Sequence, residues 1–197
     1  QALAQSDTSL AARLPAWRQA LDHDATLARA LRGRPVVLGY YLSADRGGER
    51  DGVLPPSWIA WPASALPPRL PTWTGYGANL PVLAAAAPRG GFFNATPDED
   101  GVIRSVPAVA WIGGELQASL ALAVAHAAAG DPPARAMWAA VPGQPRQADL
   151  LALAFELPPM PAASAASGAM GAGAPRRLML DEHGALRVPY RGAGGKL

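Results

Sequence analysis

An α/β fold, with a mixed α+β arrangement as the broader alternative, is predicted by three observations. Helical spacing over Leu21 to Leu31 gives way, within a short turn, to the apolar run Pro35 to Leu42. A strong turn at Asp98-Glu99-Asp100-Gly101 precedes a second apolar run that begins at Val102. Ala118 to Ala129 then returns to helical spacing and ends at Gly130. Helices alternating with apolar strands cover the faces of a sheet. The expected architecture is therefore a central, mainly buried sheet flanked by helices, with a hairpin at the acidic turn.

Each element has its own local cause. In the first helix Asp22 or Asp24 supplies an N-cap, Leu27 and Leu31 recur on one side, and Gly33 is placed to end it. Val36-Val37-Leu38-Gly39-Tyr40-Tyr41 reads as a buried strand, and Ser43 to Gly52 as a polar loop. Leu54 to Pro81 is rich in Pro and Trp, has weak periodicity and reads as mostly irregular. A short helix at Leu80 to Ala87 follows, because Leu80, Leu83, Ala84 and Ala87 share a face. Gly113-Gly114 turns the chain, and Leu120, Val124 and Ala127 line one side of the next helix, which Pro132 and Pro133 prevent from continuing. Residues 158–175 are nearly all Pro, Ala, Ser, Gly and Met and read as a flexible low-complexity insertion. Leu178 to Tyr190 reads as a hairpin around Asp181-Glu182-His183-Gly184.

The most ordered stretch chemically is Gly90 to Pro107. Phe92 and Phe93 leave a glycine pair. Pro97 fixes its own φ, Asp98 can bond its local backbone, and Gly101 accepts positive φ. That combination suits a type I turn closed by a left-handed glycine. Val102 to Trp111 is apolar on both alternating faces, as a strand covered on both sides would be. Pro107 cannot donate to a ladder, so it belongs at a bulge, a strand end or an unpaired edge.

Composition narrows the function classes. The 197 residues are enough for one domain with a substantial core. With 50% hydrophobic and 16% charged residues the chain is low in charge without being membrane-like. A formal net charge of +2 gives no strong field for nucleic acid, so no nucleic-acid partner is expected. Cysteine is absent, which excludes disulfides, thiolate metal sites and cysteine nucleophiles. Gln1 to Gln19 is too polar and mixed for a signal peptide. Leu116 to Ala129, the longest apolar candidate, falls short of the ~20 residues of a membrane span. The expectation is a single domain over residues 1–197, cut at both ends.

Residues that could carry chemistry divide between sharp and bland readings. Asp98-Glu99-Asp100 has the form of a metal-binding acidic pair, which would suit a metal-dependent enzyme such as a glycosyl transferase. Turn chemistry already accounts for both aspartates, and oxygen-ligand sites need more carboxylates than this stretch supplies. No metal and no cofactor are therefore expected. Arg104 either pairs with Asp98 or Asp100 across the turn or receives an anionic signal; the internal pair is preferred, because a buried Arg needs a carboxylate. His23, His126 and His183 are too dispersed for a metal site, and His126 reads as a half-buried polar residue on an Ala-rich helix. Trp58, Trp61, Trp73 and Tyr76 read as core plugs rather than ligand contacts. No nucleophile elbow, phosphate loop or dinucleotide fingerprint occurs.

Taken in order, these pieces resemble the CHASE2 family of extracytoplasmic sensor domains. The resemblance rests on Asp22-His23-Asp24 and its helix, the Pro35 to Leu42 strand, Ala84 to Ala87, and Gly91-Phe92-Phe93-Asn94. It continues through Pro97 to Arg104, Pro107, Ser119 to Ala123 and Tyr190-Arg191-Gly192. Gly33 to Tyr40 and Thr72 to Tyr76 are similar to family members that carry a nucleotide cyclase. Two departures stand out: the strand that normally precedes the Asp22 helix is missing, and so is the strand and helix that normally follow Gly192.

The resemblance implies a non-catalytic sensor on the periplasmic side of a bacterial inner-membrane protein. It also implies transmembrane helices flanking the domain and a cytoplasmic output, with an adenylate or guanylate cyclase ahead of a kinase. The partners it implies are an unknown small-molecule or physical signal and a possible homodimer. The residues placed nearest such a signal are Asn94, Asp98, Asp100, Arg104, Tyr190 and Arg191. Asp98, Asp100 and Arg104 are expected to anchor the turn first and to sense second. A scaffold that dimerises the receptor without sensing remains the third reading.

Overall fold

The computed structural model describes residues 12–45, 47–62, 68–71, 73–95, 100–140, 148–155 and 176–188. Helix α1 covers 12–20, a helix the sequence reading did not expect, and every residue of it is exposed. Asp22 then interrupts the helical run by capping α2 (His23–Leu31), its Oδ1 accepting the Ala25 N–H at 2.8 Å. The chain leaves α2 through Gly33 at φ +71°, where the sequence reading put the stop.

Strand β1 (Leu38–Ser43) follows and is joined by β2 (Arg50–Asp51), β4 (Gly75–Gly77) and β5 (Gly90–Phe92) in one four-stranded sheet of order β2-β4-β1-β5. β1 runs antiparallel to β4 and parallel to β5. β5 is reached through α3 (Pro81–Ala86), which begins on a proline in its first turn. A second four-stranded sheet, of order β11-β10-β9-β3, contains β3 (Ile59–Ala60), β9 (Ala134–Ala140), β10 (Ala148–Phe155) and β11 (Arg176–Met179). β6 (Ser105–Pro107) pairs with β12 (Ala185–Arg187), and β7 (Val109–Ile112) with β8 (Glu115–Ala118). The β7–β8 hairpin closes through Gly113 and Gly114 at φ +63° and +87°, the paired positive φ that a tight hairpin turn demands. α4 (Leu120–Ala128) starts at Ser119, whose Oγ accepts the Leu122 N–H, and ends before Gly130.

The architecture is mixed α+β, with helices and several sheets, and it departs from the sequence reading in three places. First, no hairpin joins the strands either side of the acidic turn. β5 lies beside β1 and β6 beside β12. β5 is two glycines and a phenylalanine, all buried, and such a strand finds its burial beside β1 and under Leu120 rather than against its neighbour in sequence. The expected strand from Val102 to Trp111 begins only at Ser105 and breaks at Ala108, with Pro107 at a strand end as its missing N–H requires. Second, the turn at Asp181–Gly184 forms, with Asp181 Oδ1 accepting the N–H groups of His183 and Ala185. The strands that leave it part company, β11 to β10 and β12 to β6. Third, the single central sheet becomes two larger sheets and two short ribbons. The β9–β10 pair, in which alanines fill much of the ladder, has no alternating signal strong enough to announce it. The low-complexity segment 158–175 lies outside the described residues.

Two apolar clusters form the core. One gathers Ile59, Val109, Leu116, Leu122, Leu150 and Leu153, with Trp58 and Trp61 packed against it. The other gathers Tyr40, Leu42, Phe92 and Ile112, with Trp73 and Tyr76 at its edge. The tryptophans and Tyr76 thus serve the core, as expected. α4 rests on β5 so closely that a Cβ on Gly91 would lie 2.5 Å from the Leu120 Cα. Glycine is required there by backbone contact rather than by φ.

Candidate functional site

The residues expected near a signal separate once placed. Asn94 follows β5, and its amide is paired both ways with one residue's backbone: Oδ1 accepts the Leu42 N–H at 2.7 Å and Nδ2 donates to the Leu42 carbonyl at 2.8 Å. The side chain acts as one more rung beside β1. Asp100 and Arg104 form a two-pronged pair, with Nη1 and Nη2 donating to Oδ1 and Oδ2 at 2.8 and 2.7 Å. Asp100 Oδ1 also accepts the Val102 N–H at 3.1 Å. The pair is on the surface, the two side chains being 54% and 47% exposed. The Arg104 guanidinium and, after it, the Val102 N–H hold the Asp100 carboxyl below its ordinary value. The internal ion pair is therefore the arrangement found for Arg104. Asp98, Tyr190 and Arg191 lie outside the described residues.

A second constellation, dispersed in sequence, forms where α4 ends. His126 is buried, and its ring lies flat on Trp58 with centroids 3.7 Å apart and planes 8° from parallel. Its Nε2 is 2.8 Å from the Pro132 carbonyl, which can only accept, so Nε2 is the donor there. Nδ1 faces Asp131 Oδ1 at 3.4 Å. Asp131 stands at φ +55°, the left-handed conformation that ends α4 after Gly130. Arg89, the residue before β5, reaches the same carboxylate through Nε at 3.1 Å to both oxygens and through Nη2 to Oδ2. That hydrogen bonding lowers the Asp131 carboxyl below its ordinary value and raises Arg89.

His126 is therefore more fully engaged than a half-buried surface residue. Its nitrogens face a carbonyl and a carboxylate, and its face meets an indole, so the ring ties segments together rather than activating a nucleophile. Nothing in the spacing of Trp58, Arg89, His126 and Asp131 marks them as neighbours. The one local signal is His126 and Asp131 bracketing the glycine that ends a helix. Below them, Tyr40 donates to Gln117 Oε1 at 3.0 Å, both residues being buried, and Gln117 Nε2 donates to the Pro55 carbonyl at 3.3 Å. Burial pushes the Tyr40 hydroxyl up.

Beside Arg89 a groove of about 320 Å³ runs between α3, the start of β1 and the 53–56 segment. Its walls are mostly proline, leucine and alanine. Among the described residues, no group of three or more His, Cys, Asp or Glu side chains is placed to hold a metal ion, and no helix is long and apolar enough to cross a membrane. A family model described as CHASE2 domain matches residues 3–196. No curated protein and no solved structure matches the chain.

Proposed function

Because this chain belongs to the CHASE2 family of extracytoplasmic sensor domains, we propose that it is the signal-sensing part of a bacterial transmembrane receptor. The domain itself carries no catalysis. It lies on the periplasmic side of the inner membrane, is flanked by membrane-spanning helices of the same polypeptide, and sets the activity of a cytoplasmic nucleotide cyclase. One observation carries this reading: the family match runs over residues 3–196, nearly the whole chain. The similarity of Gly33 to Tyr40 and Thr72 to Tyr76 to cyclase-bearing members supports the choice of output.

The mechanism is population shift. A signal that binds one conformation of the domain more tightly than another moves the balance between them, and the flanking helices carry the difference inward. The shift can be no larger than the difference in affinity. Within the domain Asn94, Asp100 and Arg104 hold backbone and turn in place, and sensing by Asp98, Tyr190 and Arg191 is part of the same proposal. The decisive experiment measures cyclic nucleotide production by the full receptor with and without this domain. Deletion is expected to change basal output or its response to the periplasmic medium. Output that stays the same across media of varied pH, osmolarity and solute content would sink the sensing role.

A further inference from the structure

The groove beside α3 has the makings of a ligand site. Its volume of about 320 Å³ falls at the lower end of the range for small-molecule sites, roughly 300–1,000 Å³. Leu38, Leu54, Pro55, Pro81 and Ala84 give it an apolar lining. Such sites select ligands through a few placed polar groups. Here those groups are Asn79 and Arg89. Asn79 commits one Nδ2 N–H to the Gly39 carbonyl at 3.1 Å and keeps a neutral amide's second N–H and its oxygen. Recognition of a charged end falls to Arg89, the only charged residue among those described on the wall.

Arg89 is held so that one edge of its donor fork is still open. A guanidinium carries five N–H donors in a planar fork. Asp131 takes the edge made by Nε and Nη2. Among the described residues Nη1 makes no hydrogen bond, which leaves the outer edge, Nη1 with the second N–H of Nη2, to a further acceptor. Asp131 is itself anchored at the end of α4, its backbone N–H donating to the His126 carbonyl at 3.0 Å, so the guanidinium is oriented before any ligand arrives. A carboxylate fits such an edge with two parallel hydrogen bonds.

We propose that this groove binds a small aliphatic carboxylate, its hydrocarbon chain against α3 and the Leu54–Pro55 wall and its carboxylate on the outer edge of Arg89. The assignment names a ligand class and rests on the sensing reading only for calling that ligand a signal. Burial of the hydrocarbon chain favours binding, and the fork of Arg89 adds the preference for an anion.

The test is titration of hexanoate, hexanol and hexylamine into the 197-residue chain, followed by calorimetry and by amide spectra. Hexanoate is expected to bind saturably, to shift Leu38, Leu54 and Ala84, and to bind at least about tenfold more tightly than hexanol. Arg89→Gln should bring hexanoate down to the level of hexanol. Ala85→Phe, at an exposed wall position, should weaken both by obstructing the groove. The absence of saturable hexanoate binding in a chain with dispersed spectra overturns the proposal. Binding that survives both substitutions overturns it too. Hexanoate that binds without altering output of the full receptor would leave the site standing and break the sensing reading. Failure to bind, in a receptor whose output depends on the domain, would do the reverse.

Discussion

The two halves of Gly90 to Pro107 end up in opposite environments. Gly90–Phe92 forms a wholly buried strand beside β1, roofed by α4, and Asn94 extends it by bonding the Leu42 backbone twice. Asp100–Arg104 is a largely exposed loop in which the two end residues form an ion pair. The acidic half is the more conspicuous in sequence, because Asp, Glu and Arg suggest chemistry. The apolar half carries the mechanical load. Charge in a sequence draws attention to a surface, and close packing, which decides stability, leaves only a glycine pair and a phenylalanine as its trace.

Substitutions along this one stretch can break or sharpen the contrast. The largest effect belongs to Phe92, which is fully buried. Phe92→Ala should cost about 3–5 kcal/mol, read as a lowered denaturation midpoint with an unchanged denaturant slope. A loss below about 1 kcal/mol would remove the claim that this half anchors the core. Gly91→Ala comes next. Its new Cβ meets the α4 backbone at 2.5 Å, and backbone yields less easily than a side chain, so the cost is about 1–3 kcal/mol or more. Chemical shifts at the start of α4 should move with it.

Asn94→Ala removes both hydrogen bonds to Leu42 and is expected to cost about 1–2 kcal/mol, with faster amide exchange at Leu42 as the specific readout. Asn94→Asp separates the two bonds, since a carboxylate keeps the acceptor and loses the donor. The smallest effect belongs to the acidic half. Arg104→Gln and Asp100→Asn should unfold together with the native chain at pH 7, as exposed ion pairs usually do.

Acid sharpens the same contrast. Arg104 holds the Asp100 carboxyl below its ordinary value of 3.8 in the folded chain. Whatever the pair contributes is thus fully present above about pH 4 and fades as pH falls through the depressed folded value. Asp131 follows the same sign through its bond to Arg89, and it joins elements across the fold rather than closing a loop of five residues. Thermal unfolding between pH 6 and pH 2 should therefore show Asp131→Asn losing more of the native acid dependence than Asp100→Asn. Equal losses would mean that the two pairs count alike.

Much of the fold is legible locally. Asp22 caps α2, Gly33 ends the helical stretch, Gly113-Gly114 folds a hairpin and Ser119 with Gly130 brackets α4, because capping and positive φ are properties of single residues and their nearest neighbours. The Arg104 pairing was legible for the same reason, its partner being one turn of chain away. The Arg89–Asp131–His126–Trp58 joint was not. Its members come from three separate segments, and a paired arginine and an exposed arginine look the same in sequence. Strand partners were also hidden. The turns at Gly101 and at Asp181–Gly184 read as hairpins, yet the strands leaving them took other neighbours, since burial against β1 and β10 outweighs proximity along the chain.

The sequence by itself thus determined where α2, α3 and α4 begin and end, which glycines turn the chain, that no thiol chemistry is possible, and the order of motifs that places the chain in its family. Those features depend on interactions a few residues long. Only the tertiary structure decided which strands pair, that Asn94 is spent on the backbone of β1, that His126 is sealed beneath Trp58, and that Arg89 keeps one edge open beside an apolar groove. Each of these depends on which surfaces exclude water together, and that is fixed by the packing of the whole chain rather than by any one segment of it.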